Sequence, residues 1–280
     1  MITCYYTTII KLWRKSIMKK FIAITLAALV AVMTFAFAGC GDKETTDSDL
    51  AYVQDKGTLI VGITDFEPMD YQDANKNWIG FDADMAKAFA ESIGVKAEFV
   101  EIDWDNKVME INNKSIDCVW NGMTLTDEVT TTMSCTNAYC NNAQVVVVNK
   151  DVADKYTSVE ACKSLSFAVE AGSAGKDMAV ENEFKYTEVK DQATALTEVS
   201  AGTCDAAIID KLMAAAMIGE GTSNDKLTYT IDLNSEKYGV GFRQGSDLTA
   251  KLNDFFTASL ADGTMEKIAT QYGVQAAIIK

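Results

Sequence analysis

Four short stretches carry the side chains most able to do chemistry, and each follows an apolar run. Asp210 ends Ala206-Ala207-Ile208-Ile209, and Glu170, Ser173 and Ala174 follow residues 165–169. Asn121, Gly122, Met123 and Thr124 follow residues 116–120, and Thr64, Asp65 and Phe66 follow residues 59–63. All are polar, small or aromatic, which suits the wall of a binding site and is also the ordinary composition of loops. The chain has no histidine. It therefore lacks the commonest general base and the commonest transition-metal ligand, which weighs against an enzyme.

Cysteine chemistry narrows the field further. Beyond Cys4 and Cys40 there are Cys118, Cys135, Cys140, Cys162 and Cys204, an odd number that cannot form a complete disulfide framework within one chain. Cys135 and Cys140 are close enough in sequence to pair, with buried free thiols as the other reading. The spacings match no zinc pattern, and neither a metal nor another cofactor is expected. Charge excludes another class. Five basic and no acidic residues precede Cys40, so the chain from there on holds 20 basic and 40 acidic side chains. A field of that sign repels phosphate backbones, and no nucleic-acid partner is expected.

The elements that must position these residues can be read from the apolar pattern. Residues 59–63 form a branched apolar run flanked by Gly57, which predicts a buried strand. Residues 82–93 predict a helix, with Asp82 and Asp84 at its start and Met85, Ala88, Phe89 and Ile93 on one face. Strands follow at 97–100 and 116–120, with a helix near 106–113 between them. A second set places strands at 144–148, 165–169 and 206–209 and helices at 176–183 and 192–201. Helices at 247–260 and 264–272 close the chain. Alternating strands and helices argue for α/β architecture with parallel sheets covered by helices on both faces. The second set echoes the first, which suggests two lobes built alike. In such sheets ligands collect beyond the carboxyl ends of the strands, where the four stretches stand.

The N-terminus carries a separate signal. Met18-Lys19-Lys20 precedes an unbroken apolar run from Phe21 to Ala38, then Gly39-Cys40-Gly41. A short positive segment, an apolar core and small residues before a break form an export signal. A membrane-spanning helix of similar length is the competing reading, and the small residues before Cys40 argue against it. Ala38-Gly39-Cys40 resembles the lipobox of bacterial lipoproteins, with Phe37 where Leu, Val or Ile is usual. Residues 1–17 then form an extension ahead of the true start at Met18, residues 18–39 a signal peptide, and residues 40–49 a lipidated Cys40 with its tether.

Several segments together resemble the polar amino-acid class of bacterial extracellular solute-binding proteins, family 3, which serve ABC importers. They include Gly57-Thr58-Leu59-Ile60-Val61-Gly62, Gly80-Phe81-Asp82-Ala83-Asp84, Gly122-Met123-Thr124-Leu125-Thr126, Asp205-Ala206-Ala207-Ile208-Ile209-Asp210 and Tyr238-Gly239-Val240-Gly241-Phe242-Arg243. The resemblance implies a two-lobed periplasmic-binding-protein-like fold (type II), each lobe a mostly parallel sheet flanked by helices, joined by a two-strand hinge. Lobe 1 would be 50–143 plus 237–280, and lobe 2 would be 144–236. The implied function is capture of a small polar solute, an amino acid above all, by hinge closure, with the importer's permease as partner. The implied chain is a monomer held to the extracellular face of the cytoplasmic membrane by its lipid.

The resemblance also assigns the site. Phe66 and Trp104 would face the ligand side chain, while Gly122, Met123 and Thr124 would hold its amino and carboxylate groups. Ser173 and Ala174 would lie in the loop offering amide donors to the carboxylate, and Asp210 would pair with the α-ammonium. Asp65 would take an acidic family position at the end of the first strand. Apart from the resemblance, the acidic side chain of Glu170 is expected to favour a cationic ligand. One departure is plain. The arginine that usually grips the carboxylate is Val129 here, so amides alone, a lysine such as Lys107, or a ligand other than a standard α-amino acid must answer for it. A sensory lipoprotein and a dehydratase-type enzyme on the same fold are the alternatives.

Overall fold

The computed structural model describes residues 48–280, so the export signal, Cys40 and residues 40–47 of the expected tether lie outside the described residues, while Ser48 caps and Asp49 opens the first helix. Among the described residues, two separate sheets carry the fold, and the chain crosses between them twice.

The first sheet is opened by helix α1 (Asp49–Lys56) and strand β1 (Thr58–Ile63). A small antiparallel pair, β2 (Tyr71–Gln72) and β3 (Trp78–Ile79), leads to helix α2 (Phe81–Ser92) and strand β4 (Lys96–Glu101). Helix α3 (Lys107–Asn112), strand β5 (Cys118–Thr124), helix α4 (Asp127–Thr132) and the short strands β6 (Ser134–Cys135) and β7 (Cys140–Asn142) complete this passage. The chain then enters the second sheet through β8 (Gln144–Asn149), helix α5 (Val159–Cys162) and β9 (Ser166–Glu170). Helix α6 (Ala174–Glu181), β10 (Lys185–Val189), helix α7 (Gln192–Ala201), β11 (Ala206–Asp210), helix α8 (Lys211–Met217) and β12 (Leu227–Asp232) follow. Strand β13 (Glu236–Phe242) returns to the first sheet, and helices α9 (Leu248–Ala261) and α10 (Thr264–Gln271) pack on it.

The strand orders are β4-β1-β5-β13-β6 and β10-β9-β11-β8-β12. In each sheet the first three strands run parallel, the fourth (β13 or β8) runs opposite to them, and the fifth (β6 or β12) pairs antiparallel with the fourth. The sheets are therefore mixed, because β8 and β13 are the strands that carry the chain between the two bodies. Central strands are apolar throughout: Val145, Val146, Val147 and Val148 of β8 and Ala206 to Ile209 of β11 are buried on both faces, as strands covered by helices on both sides must be. Edge strands β4 and β10 alternate exposed and half-buried positions instead.

Two differences from the sequence reading bear on the site. Strand β5 begins at Cys118 and runs through Asn121, Gly122 and Met123, so these residues lie in the strand and not after it. The antiparallel partner β13 extends the pairing to Tyr238↔Thr124. Helix α6 starts at Ala174, before the expected 176, because the Ser173 hydroxyl accepts from the Lys176 amide at 3.1 Å and caps it. All five cysteines of the described residues are free, Cys135 and Cys140 included.

Arg243 anchors the core of the first sheet. Its guanidinium donates to Asp49 Oδ1 from Nη2 at 2.8 Å and to the carbonyls of Ile111 and Ile116 at 3.3 and 3.1 Å. Asp117 stands 3.8 Å away and is itself paired with Lys56 at 2.6 Å. This ties α1, β5 and β13 together inside a buried shell. Truncating one partner of such a pair leaves a buried charge alone, at a cost of about 3–5 kcal/mol. Arg243→Ala should lower the unfolding free energy from urea titration by that order while leaving ligand affinity unchanged; equal stability of variant and parent would contradict the assignment.

Candidate functional site

A cleft of about 490 Å³ of empty space, part of it open to solvent, lies between the two sheets. Phe66, Trp104, Gly122, Met123 and Thr124 line it from the first sheet, and Glu170, Ser173, Ala174 and Asp210 from the second. Asp65 is not among its lining residues and is exposed. The extended chain alternates there, so Thr64 and Phe66 turn inward and Asp65 outward.

On the first wall, Asn121 holds the segment that presents Phe66. The Thr64 amide and hydroxyl both donate to Asn121 Oδ1, at 3.0 and 2.8 Å, and Asn121 Nδ2 donates back to the Thr64 carbonyl and to Asp70. Phe66 then stands edge-on to Tyr238, with ring centroids 6.3 Å apart. Gly122 makes this packing possible: its φ is +56°, and a Cβ there would lie 2.5 Å from the Phe66 ring. The Gly122 amide donates to Asp82 at 2.7 Å, so it is not free for a ligand.

The lips of the cleft meet. Lys107 Nζ, over the Trp104 ring at 5.0 Å from its centroid, donates to the Trp104 carbonyl at 3.2 Å and to the Gly172 carbonyl of the opposite wall at 2.9 Å. Burial pulls the Lys107 ammonium below the usual lysine range, against the attraction of Glu128, Glu170, Asp105 and Asp177. Gly172, with φ +67°, approaches Asp105 so closely that a Cβ would lie 2.7 Å from it. Lys190 pairs with Glu101 across the same boundary. Val129 forms apolar wall where the carboxylate-binding guanidinium was sought, and Arg243 lies in the core and cannot replace it.

The second wall holds two buried carboxyls. Asp210, 4% exposed, accepts from Asn142 and Tyr238 at Oδ1 and from Gln192 at Oδ2. Glu170, 2% exposed, has only a 3.4 Å approach from Gln192 to Oε2, and its Oε1 has no partner. Burial and the neighbouring Glu236 push Asp210 up to about 8. Burial and the Asp210 charge push Glu170 up to about 8. The Ser173 hydroxyl is already engaged, donating to the Glu170 carbonyl at 2.8 Å and capping α6. Ala174 starts the helix, where an amide has no intrahelical acceptor. Gln192 was not foreseen as a site residue. Nothing in the sequence distinguishes it from any polar residue in a first helical turn, and only the fold brings its amide between the two carboxyls.

These groups set a pH dependence. Asp82, pushed up to about 7 by burial against hydrogen bonds from Tyr139 and Gly122, acts in the same sense as Glu170 and Asp210. Each binds a proton more tightly folded than unfolded, where ordinary carboxyls titrate near pH 4. The stability they allow is full below about pH 4 and falls as pH rises through their folded values. The melting temperature of the ligand-free protein should therefore decline from pH 5 to pH 8; a flat or rising profile over that window would be inconsistent with carboxyls buried in this way.

Comparison with known proteins places the chain. The arginine-binding extracellular protein ArtP of Bacillus subtilis is 28% identical over 264 residues, covering 91% of this chain and 98% of ArtP. Among solved structures, a mutant of ArgBP from T. maritima superposes with a TM-score of 0.75 at 27% identity, over 80% of this chain and 98% of that one. The ancestral amino acid-binding protein AncCDT-1, a precursor of cyclohexadienyl dehydratase, gives a TM-score of 0.74 at 30% identity, over 80% and 99% of the two chains. Residues 59–275 match the family model of bacterial extracellular solute-binding proteins, family 3, and the chain belongs to that family.

Proposed function

We propose that this protein is the substrate-binding component of an ABC importer, and that it captures an amino acid by closing its two lobes around it. The observation that carries this reading is a cleft with walls from both sheets, aromatic on one side and carboxylate on the other. A ligand touching both walls has differential affinity for the closed form, which is what drives closure. In this reading Asp210 receives the α-ammonium. Three of its roughly four acceptor positions are filled by Asn142, Tyr238 and Gln192, which leaves room for one donor. The Ala174 amide, Thr124 and the remaining Lys107 donor receive the carboxylate in the absence of an arginine, and Phe66 and Trp104 enclose the aliphatic part.

Binding, not turnover, is the activity proposed. The arginine-binding relatives and the ancestral amino acid-binding protein support it. The extracellular location follows the family, and anchoring through a lipid on Cys40 is the proposed means of retention, with the chain acting as a monomer beside its permease.

A thermal-shift screen of the purified protein against the amino acids should yield a ligand that also lowers the radius of gyration in solution scattering. Asp210→Asn should weaken that ligand by roughly 10- to 100-fold, the loss of one charge-assisted hydrogen bond of about 1.5–3 kcal/mol. Undiminished affinity in calorimetry would remove Asp210 from the site. In cells, Cys40→Ala should shift the protein from the membrane fraction to the soluble one; retention at the membrane would rule out this anchor.

A further inference from the structure

The buried charges of the cleft do not balance. Among the described residues that line it, those buried are Lys107, Glu170 and Asp210; Glu128 and Asp177 also line it but are exposed. Lys107 is committed to two carbonyl oxygens and to the Trp104 ring. Asp210 has donors from three residues, whereas Glu170 shares one distant amide with Asp210 and leaves Oε1 bare at 2% exposure. An unpaired buried acceptor costs about 1–3 kcal/mol, and more when charged, so the empty site holds an unmet demand for a donor.

We infer that Glu170 is the specificity-determining residue of the cleft and receives the side-chain cation of a basic α-amino acid. The inference rests on the proposed reading of the cleft as an amino-acid site, and names the class of amino acid. With both acids ionised, the form that a cationic ligand favours, one cation and two carboxylates leave a net charge of −1 in the buried site. A zwitterionic ligand adds nothing to that sum and leaves Glu170 unpaired. A ligand with an ammonium, a carboxylate and a second cation cancels it. A diamine would also supply cations, but it would leave the amide at the start of α6 without an anion. The second cation also explains how the site works without an arginine at position 129, since part of the affinity moves from the carboxylate to the side chain.

Glu170 faces Asp210 at the end of β11, Gln192 and Asp191 at the start of α7, and Lys107 from α3. Of these, Lys107 is the lone cation, so no protein group stands ready to neutralise Glu170 once Lys107 is engaged. The neighbouring acids make a ligand cation more welcome still.

The test is calorimetry on the purified protein with two pairs of probes, L-arginine with its neutral isostere L-citrulline, and L-lysine with L-norleucine. At least one basic probe should bind 10-fold or more tightly than its neutral partner. Glu170→Gln should bring that ratio to within about threefold, and should raise the melting temperature because it removes a carboxyl whose ionisation burial disfavours. Glu170→Leu, similar in size to glutamate but without a charge or an acceptor, should give the same levelling if the glutamine variant folds poorly. Equal binding of basic and neutral probes by the parent protein, or a ratio that survives both substitutions, overturns the assignment. If neutral amino acids bind well and are lost with Asp210→Asn, only the role of Glu170 fails. If no amino acid binds at all, the amino-acid reading of the cleft fails with it.

Discussion

Asp210 is the constraint on which the rest of the structure depends. It is a buried carboxyl at the end of a central strand, and its donors come from three elements: Asn142 of β7, Tyr238 of β13 and Gln192 of α7. Strand β13 carries the chain back to the first sheet, and β7 leads directly into β8, which carries it across. The same Asn142 amide reaches Glu236, which also accepts from Gln144 at 2.9 Å and from Asn234 at 2.9 Å. The binding wall and the crossing strands are therefore one polar network. A buried carboxylate is tolerated only when its lone pairs are filled, so the geometry of the crossing and the geometry of the site are set by the same requirement.

That connection gives closure a physical basis. In the proposed reading, a cation arriving at Asp210 meets a group already bonded to elements of both bodies. The direct contacts between the lips are modest by comparison. The Lys190 and Glu101 pair is exposed, and such pairs contribute about 0–1 kcal/mol. The Lys107 bond to the Gly172 carbonyl is stronger in principle, because it is shielded, but it holds down a lysine that burial disfavours. Neither contact dominates, which leaves the ligand to decide the balance between open and closed forms. Gly172 matters here for its size as well as its left-handed backbone, since any side chain would meet Asp105 and hold the lips apart.

Most of the architecture was legible from periodicity. The runs at 59–63, 144–148 and 206–209 are strands because branched apolar residues buried on both faces leave no other choice. Helix α7 spans the predicted 192–201, with Asp191 accepting from the Thr194 amide at 2.7 Å at its start and Gly202 in the left-handed conformation at its end. The edge strands β10 and β12 were not legible. Lys185-Tyr186-Thr187-Glu188-Val189 buries little, so its pattern is weak, and it is a strand only because β9 lies beside it.

For the site, residue types and the family resemblance brought forward Phe66, Trp104, Gly122, Thr124, Glu170 and Asp210, and these line one cleft. Asp65 shows the limit of that reading, since a one-residue uncertainty at a strand end reverses the face a side chain occupies. What the sequence determined by itself was the inventory: no histidine, no arginine at position 129, two acids at strand ends and the elements that carry them. Tertiary structure alone decided which of these groups are already satisfied. It gave Asp210 and Ser173 partners, turned the Gly122 amide toward Asp82, set Gln192 between two carboxyls and left Glu170 Oε1 with none. Hydrogen bonds join residues far apart in the chain, as the 28 residues between Asp210 and Tyr238 or the 57 between Thr64 and Asn121 illustrate, and no local pattern records them.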